Sequence, residues 1–283
     1  MLIKPKFYDS FRCLAGDCHD TCCAGWEIDV DEDTAEFYAG LDGADGEFVR
    51  SRLYPCGDGW QLCHEGERCR FLREDGLCEL ILRLGEDALC DICREHPRFY
   101  SGSETVTIAG HGLCCEEAVR LWLESPVEFV IEDDGVPALP EDAAEAEEML
   151  SVIAHLASGG GTLGQRFSAL TADGGTDSYP AMRELYASLE AMDASYPARY
   201  SMTAPVLTDP RYPKLAACFV FRYWYELGRE LAVKFAAASI VMIAALGGDM
   251  AEAAKKFSAE VEYDPDNVEK ICDFLETHDI MLG

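Results

Sequence analysis

Basic charge is scarce in this chain of 283 residues: 23 Lys and Arg face 53 Asp and Glu, a formal net charge of −30. A surface so acidic repels phosphate backbones and anionic lipid, which argues against nucleic-acid and membrane roles and leaves basic protein partners open. The same charge also serves solubility. Long hydrophobic runs are lacking as well. The most apolar stretch, LAVKFAAASIVMIAAL from Leu231 to Leu246, is shorter than the roughly 20 residues that cross a bilayer, and Lys234 interrupts it. It reads as a buried core helix. The opening MLIKPKFYDSFRC has no apolar h-region and no small-residue cleavage site, so the expected compartment is the reducing cytoplasm.

Cysteine is what the chain has in excess. Twelve of the 14 lie between Cys13 and Cys115, while Cys218 and Cys272 sit in apolar helical patterns where a thiol behaves as a small hydrophobe. The stretch CLAGDCHDTCCAGW, Cys13 to Trp26, could be a disulfide knot, a metal cradle or a reactive-thiol site. A chain of this length needs no staples to fold, and cytosolic thiols stay reduced, so metal ligation is favoured over disulfides. The run Cys13-x4-Cys18-x3-Cys22-Cys23 is followed by Cys56, Cys63, Cys69-x8-Cys78, Cys90-x2-Cys93 and Cys114-Cys115. Dense thiolates suit zinc or an iron–sulfur cluster, each held by four protein ligands. The spacing dictates no particular four. Only CDIC, Cys90 to Cys93, has ordinary knuckle spacing, and it equally suits a redox dithiol. A C-x3-C-x2-C motif fails, because the third position after Cys18 and Cys22 is Gly25. Adjacent Cys22 and Cys23 point opposite ways if extended, so unequal roles are expected of them. His19, His64, His96 and His111 are weaker ligand candidates.

Periodicity divides the chain. Gly25 to Asp31 and Glu104 to Gly110 alternate like strands, Thr34 to Leu41 and Cys114 to Glu124 read as helices, and PVEFVIEDDG reads as extended. From Pro140 onward the pattern is helical. Met149, Val152, Ile153 and Leu156 share one face, as do Val268, Ile271, Cys272 and Leu275 behind Asp264-Pro265, a suitable N-cap and first-turn pair. Leu215 to Leu227 and Glu230 to Leu246 supply the centre of a bundle, and ASGGGTLGQ a loop between helices. The expected class is mainly α: a small irregular α+β cysteine-rich unit, residues 1–131, packed on a helical bundle, residues 132–283. Trp26 is expected in the core.

The run FRCLAGDCHDTCCAGWEIDVDEDT resembles the opening of the flagellin lysine-N-methylase family, a branch of the zinc- or iron-chelating cysteine-cluster proteins named for a CxxCxxCC motif. The stretch from Cys69 to Tyr100 resembles that family's second block, with CR-x-x-PR at Cys93, Arg94, Pro97 and Arg98. LCCEEAVRL resembles the third block, with Cys115 as the family cysteine, and the segments around Tyr212 to Leu246 and Glu260 to Leu275 look like its final helices. The middle of the chain, from about Glu132 to Tyr200, carries no family motif. The resemblance implies Cys13, Cys18, Cys22, Cys23, Cys69, Cys78, Cys93 and Cys115 as the metal-associated set; Cys56, Cys63, Cys90 and Cys114 fall outside it, although Cys90 could substitute for a neighbour. It also implies an iron–sulfur cluster, with zinc as the alternative, S-adenosylmethionine as methyl donor and flagellin lysines as acceptors. A non-catalytic metal-handling protein is the alternative reading.

No Gly-rich strand-to-helix turn of the dinucleotide-binding type is present, so a conventional donor site cannot be placed, and no oligomeric state follows. Asp29, Asp31 and Tyr100 could assist proton removal from the acceptor. The stronger reading is that Asp29 and Asp31 lie on the solvated face of a strand or begin the helix at Thr34. Arg94 and Arg98 could hold a donor carboxylate, although structural ion pairs are favoured.

Overall fold

The computed structural model describes residues 1–133, 135, 137–171, 178–278, 280 and 282. It is mainly α, with eleven α-helices among the described residues. The strands are β1 (Leu2–Pro5), β2 (Asp29–Val30), β3 (Leu53–Cys56), β4 (Gly59–Leu62), β5 (His64–Glu65), β6 (Arg68–Cys69), β7 (Arg98–Gly102), β8 (Thr107–His111) and β9 (Phe129–Glu132). The helices are α1 (Glu32–Gly40), α2 (Gly43–Arg50), α3 (Glu79–Leu84), α4 (Asp91–Glu95), α5 (Glu116–Glu124), α6 (Pro140–Ser158), α7 (Leu163–Ser168), α8 (Tyr179–Ser188), α9 (Tyr212–Leu246), α10 (Met250–Val261) and α11 (Pro265–Thr277). Two compact units result: Arg12–Pro97, and Met1–Phe11 together with Arg98–Gly283. These limits differ from a division at residue 131, because the first strand of the chain pairs with both β8 and β9 and draws them into the helical unit.

The larger unit has a four-stranded sheet in the order β7-β8-β1-β9. Only β1 and β8 run parallel, with Leu2 opposite Thr107, so this is not a doubly wound sheet. Around it the helices bury the faces their sequences mark. Met149, Val152, Ile153 and Leu156 of α6 are buried, as are Val268, Ile271, Cys272 and Leu275 of α11. Each such aliphatic side chain is worth about 1.5–3 kcal/mol on burial. The Asp264 carboxylate accepts the Asp266 N–H at 2.9 Å and Pro265 occupies the first turn, as the sequence pair implies. The two apolar segments of α9 are separated at Gly228, whose φ of 74° and ψ of 166° leave the helical region. Lys234 is buried in the second segment. It donates to the Leu275 carbonyl at 3.2 Å and pairs with Glu230 at 3.4 Å, so its charge is answered inside the apolar run. No single helix among the described residues is long and apolar enough to cross a membrane.

The smaller unit is built of short pieces: a three-stranded sheet in the order β2-β4-β3, the β5-β6 hairpin and helices α1 to α4. Both hairpins close through two residues, Gly57-Asp58 and Gly66-Glu67, with the glycine first and at positive φ, the type II′ requirement. The strand expected from Gly25 to Asp31 contracts to Asp29–Val30, because Gly25 turns with φ 80° and donates its N–H to the Glu67 carbonyl at 2.8 Å. Tyr38, Phe48, Val49, Leu62, Phe71 and Leu80 make the unit's own core.

A Cβ at Gly228 would meet nothing within 4 Å, so a substitution there costs only the backbone conformation. Gly228→Ala should lower stability by about 1–3 kcal/mol in denaturant titration. An unchanged midpoint would show that α9 does not depend on the break.

Candidate functional site

Five cysteines from four separate segments converge on the core of the smaller unit. Cys69 and Cys90 are buried within it, and Cys23, Cys78 and Cys93 pack against it. Local structure delivers each one. The Cys69 N–H donates to the Cys23 carbonyl at 3.0 Å, fixing the cysteine run to β6. Cys78 precedes α3, and Cys90 precedes α4, whose first turn carries Cys93. Asp31 governs that second approach: its carboxylate caps α1 by accepting from the Thr34 N–H at 2.9 Å, and its other oxygen accepts from the Asp91 N–H at 2.8 Å. Tyr38, on α1, donates to the Ala88 carbonyl at 2.6 Å. Burial, followed by the charges of Cys90, Cys93 and Cys78, keeps its phenol protonated well above the usual range.

The thiols are electrostatically unequal. A hydrogen bond from Cys22 outweighs burial and brings Cys23 down to about 6, assisted by Thr21 and the Arg68 charge. A hydrogen bond from Cys93 brings Cys90 to about 7 against the cost of burial, so this pair gives up its first proton at Cys90. Cys93 is correspondingly raised, first by that bond to Cys90 and then by burial and the charges of Cys90, Cys23 and Cys69. Burial raises Cys69 to about 11 and also raises Cys78. Cys22 and Cys23 thus differ in their protons, Cys22 acting as donor to Cys23. Among the described residues no three Cys, His, Asp or Glu side chains form a ready-made metal cage. In donor type the five sulfurs, which share one small core and feel one another's charge, are those that suit a soft metal.

The other nominated residues lie elsewhere. Cys13 is exposed and accepts from the Ala15 N–H at 3.4 Å, while Cys18 donates to the Asp20 carbonyl at 3.5 Å. Cys115 belongs to the larger unit, at the start of α5. Its neighbour Cys114 is raised to about 11 by burial and lies near the Arg222–Glu262 ion pair, 3.3 Å long. His111, also in the larger unit, is fully buried and stacks on Tyr8 and Phe11 at 4.5 and 4.7 Å. Burial and then the Arg98 charge lower it to about 4, so it serves as a neutral aromatic plate. Arg94 pairs with Asp91 and donates to the Leu89 carbonyl at 3.2 Å, the structural role favoured for it. Tyr100 shares a hydrogen bond of 3.2 Å with Tyr8.

Trp26 is a correction: it is half-buried and lines a cavity of about 450 Å³ rather than the core. Tyr54, Glu27, Glu67, His64 and Cys63 share that wall, with Gly25 and Gly66 at its turns. Strand register fixes the tyrosine. Gln61 lies opposite Tyr54 on one side and Asp29 on the other, so Tyr54 donates to Gln61, whose amide donates to Asp29 at 2.7 Å. His64 is paired with Cys69 across the hairpin, which places the cavity wall on strands that also carry the thiols.

A small cysteine-lined unit with a separate helical unit is the class that fold and site define. Relatives give that class a more particular bearing. Over 132 residues the chain is 29% identical to a lysine-N-methylase of Salmonella choleraesuis, covering 44% of this chain and 32% of that protein. It is 28% identical over 132 residues to the flagellar biosynthetic protein FliU of Salmonella muenchen, covering 44% of this chain and 77% of that one. A lysine-N-methylase of Salmonella typhimurium is also 28% identical over 132 residues, covering 44% of this chain and 32% of that protein. The chain is therefore a relative of the lysine-N-methylases, and the match spans about a third of their length. No family model and no solved structure matches.

Metal ligation needs thiolates, and Cys69, Cys78 and Cys93 hold their protons through neutrality. Zinc added to metal-free protein should release protons and bind more tightly as pH rises toward 9, a trend of roughly tenfold for each proton displaced per pH unit. The thiolate absorbance of the metal-free protein should titrate near 6 and 7 for Cys23 and Cys90, and Cys93→Ala should move the Cys90 step upward. A Cys90 step unmoved by that change would show that Cys93 is not its donor.

Proposed function

We propose that the protein is a metal-cluster-containing lysine N-methyltransferase that carries methyl groups from S-adenosylmethionine to flagellin lysines in the cytoplasm. The observation that carries this reading is the convergence of Cys23, Cys69, Cys78, Cys93 and Cys90 on one core, in a chain related to lysine-N-methylases and to a flagellar biosynthetic protein. An iron–sulfur cluster, or zinc in its place, would be held by four of these five sulfurs, Cys23, Cys69, Cys78 and Cys93 being the nominated ones. Once bound, it would supply cross-links between distant segments and thereby folding free energy. Cys13, Cys18, Cys22 and Cys115 complete the nominated set, and Cys22 also serves as the proton donor that lowers Cys23.

The chemistry asks for no electron transfer. The lone pair of a neutral lysine nitrogen forms the N–C bond, the C–S bond of the sulfonium breaks with its electrons going to sulfur, and the amine gives up one proton. The task of the protein is to hold donor and acceptor in line and to take that proton. An acidic surface attracts a lysine-bearing partner at the encounter stage.

Protein purified without oxygen should contain iron and sulfide, or zinc, and should lose it in Cys69→Ser and Cys93→Ser variants. Colourless protein with less than about one metal per ten chains would remove the cluster from the reading. Flagellin incubated with metallated protein and S-adenosylmethionine should gain mass in whole methyl increments, and Cys93→Ser that remains folded should abolish them. Absence of increments on the cognate flagellin would leave a metal-handling protein as the better description.

A further inference from the structure

The geometry points to the cavity between Trp26 and Tyr54 as the subsite that receives the lysine side chain of the protein substrate. This deepens the methyltransferase reading and rests on it for the identity of the incoming chain. The cavity volume, about 450 Å³, is ample for a lysyl side chain. Its wall combines two aromatic faces with the carboxylates of Glu27 and Glu67, the pairing that attracts an organic ammonium: ring quadrupoles and full negative charges act on one cation.

The wall is preformed. Tyr54 is held through Gln61 to Asp29 across three strands, and Gly25 and Glu67 are tied by a backbone hydrogen bond of 2.8 Å. The nearest basic side chain in sequence, Arg68, donates instead to the Arg73 carbonyl at 3.1 Å, and it is not among the lining residues. Burial and then the charges of Cys56, Glu27, Cys63 and Asp29 raise the Tyr54 phenol above its ordinary range. Such a wall repels an anionic ligand, and a neutral one forgoes the charge attraction.

Calorimetry on the full chain tests the assignment with three probes, blocked lysine, its trimethylated form and its acetylated form. Both cations should bind, the trimethylated one more tightly, and the neutral acetylated one at least about fivefold more weakly. A Glu27→Gln, Glu67→Gln double variant changes two exposed side chains and should weaken cation binding about fivefold or more. Trp26→Ala should do the same. Equal binding of the acetylated probe, or unaltered binding by the folded double variant, overturns the proposal. Displacement of the trimethylated probe by S-adenosylmethionine would give the pocket to the donor sulfonium and overturn the lysine assignment. Flagellin methylation separates this inference from the activity itself. Increments that persist with unchanged KM in the double variant overturn the pocket and keep the enzyme, whereas cation binding without increments keeps the pocket and removes the methylase reading.

Discussion

The two hydrogen bonds of the Asp31 carboxylate, to the Thr34 and Asp91 N–H groups, hold the cysteine unit in register. One starts α1 and the other fixes the turn that begins α4. Between these two points lie the placement of Tyr38 on the Ala88 carbonyl and the delivery of Cys90 and Cys93 to the core. A charge-assisted bond to a backbone N–H is stronger than a neutral one, and here a single side chain makes two, one of them to Asp91, sixty residues further along the chain. The carboxylate is held below the usual range, its Thr34 bonds and the Arg94 charge prevailing over the opposing cost of burial. It therefore keeps both bonds at any pH at which the thiols titrate.

That tie carries weight because the unit has little else. Its strands are two to four residues long, and its core is a handful of aromatic and aliphatic side chains beside the sulfurs. Small cores of this kind sit near the limit at which burial offsets chain entropy. The sulfurs occupy interior space that aliphatic groups would otherwise fill, and burial penalises their charged forms. The proposed metal would answer both problems at once, by neutralising thiolates and by linking segments. The larger unit needs no such help, since α6, α9, α10 and α11 bury a long series of side chains, Lys234 among them with its charge answered.

Helix positions were legible because each depends on residues within one turn of each other: the faces of α6 and α11, the Asp264-Pro265 start and the division of α9 at Gly228 all follow from local spacing. The cysteine density was legible for the same reason. Choosing among the cysteines was not, since the partnership of Cys23 with Cys69 depends on a loop meeting a hairpin, and Cys90 joins the cluster by way of Asp31. The insertion of residues 2–5 between β8 and β9 was equally hidden, because nothing local in LIKP specifies strands more than a hundred residues away. Trp26 was misplaced by the general rule that large aromatics are buried; the signal that could have corrected it is Gly25, which turns the chain just before it.

Under the proposed methyl transfer, the placement of acid on this molecule would bear on catalysis as well as encounter. Carboxylates beside an aromatic cleft favour the protonated amine, whereas methyl transfer requires the neutral one. The two demands would be reconciled by capture of the cation first, followed by passage of its proton to one of the same carboxylates as the donor closes on the nitrogen. In the proposed subsite each methyl added would raise the hydrophobicity of the cation and improve its fit to the rings of Trp26 and Tyr54, so a partly methylated lysine would be held at least as well as an unmodified one. Such retention would favour successive transfers to one side chain over a single transfer followed by release.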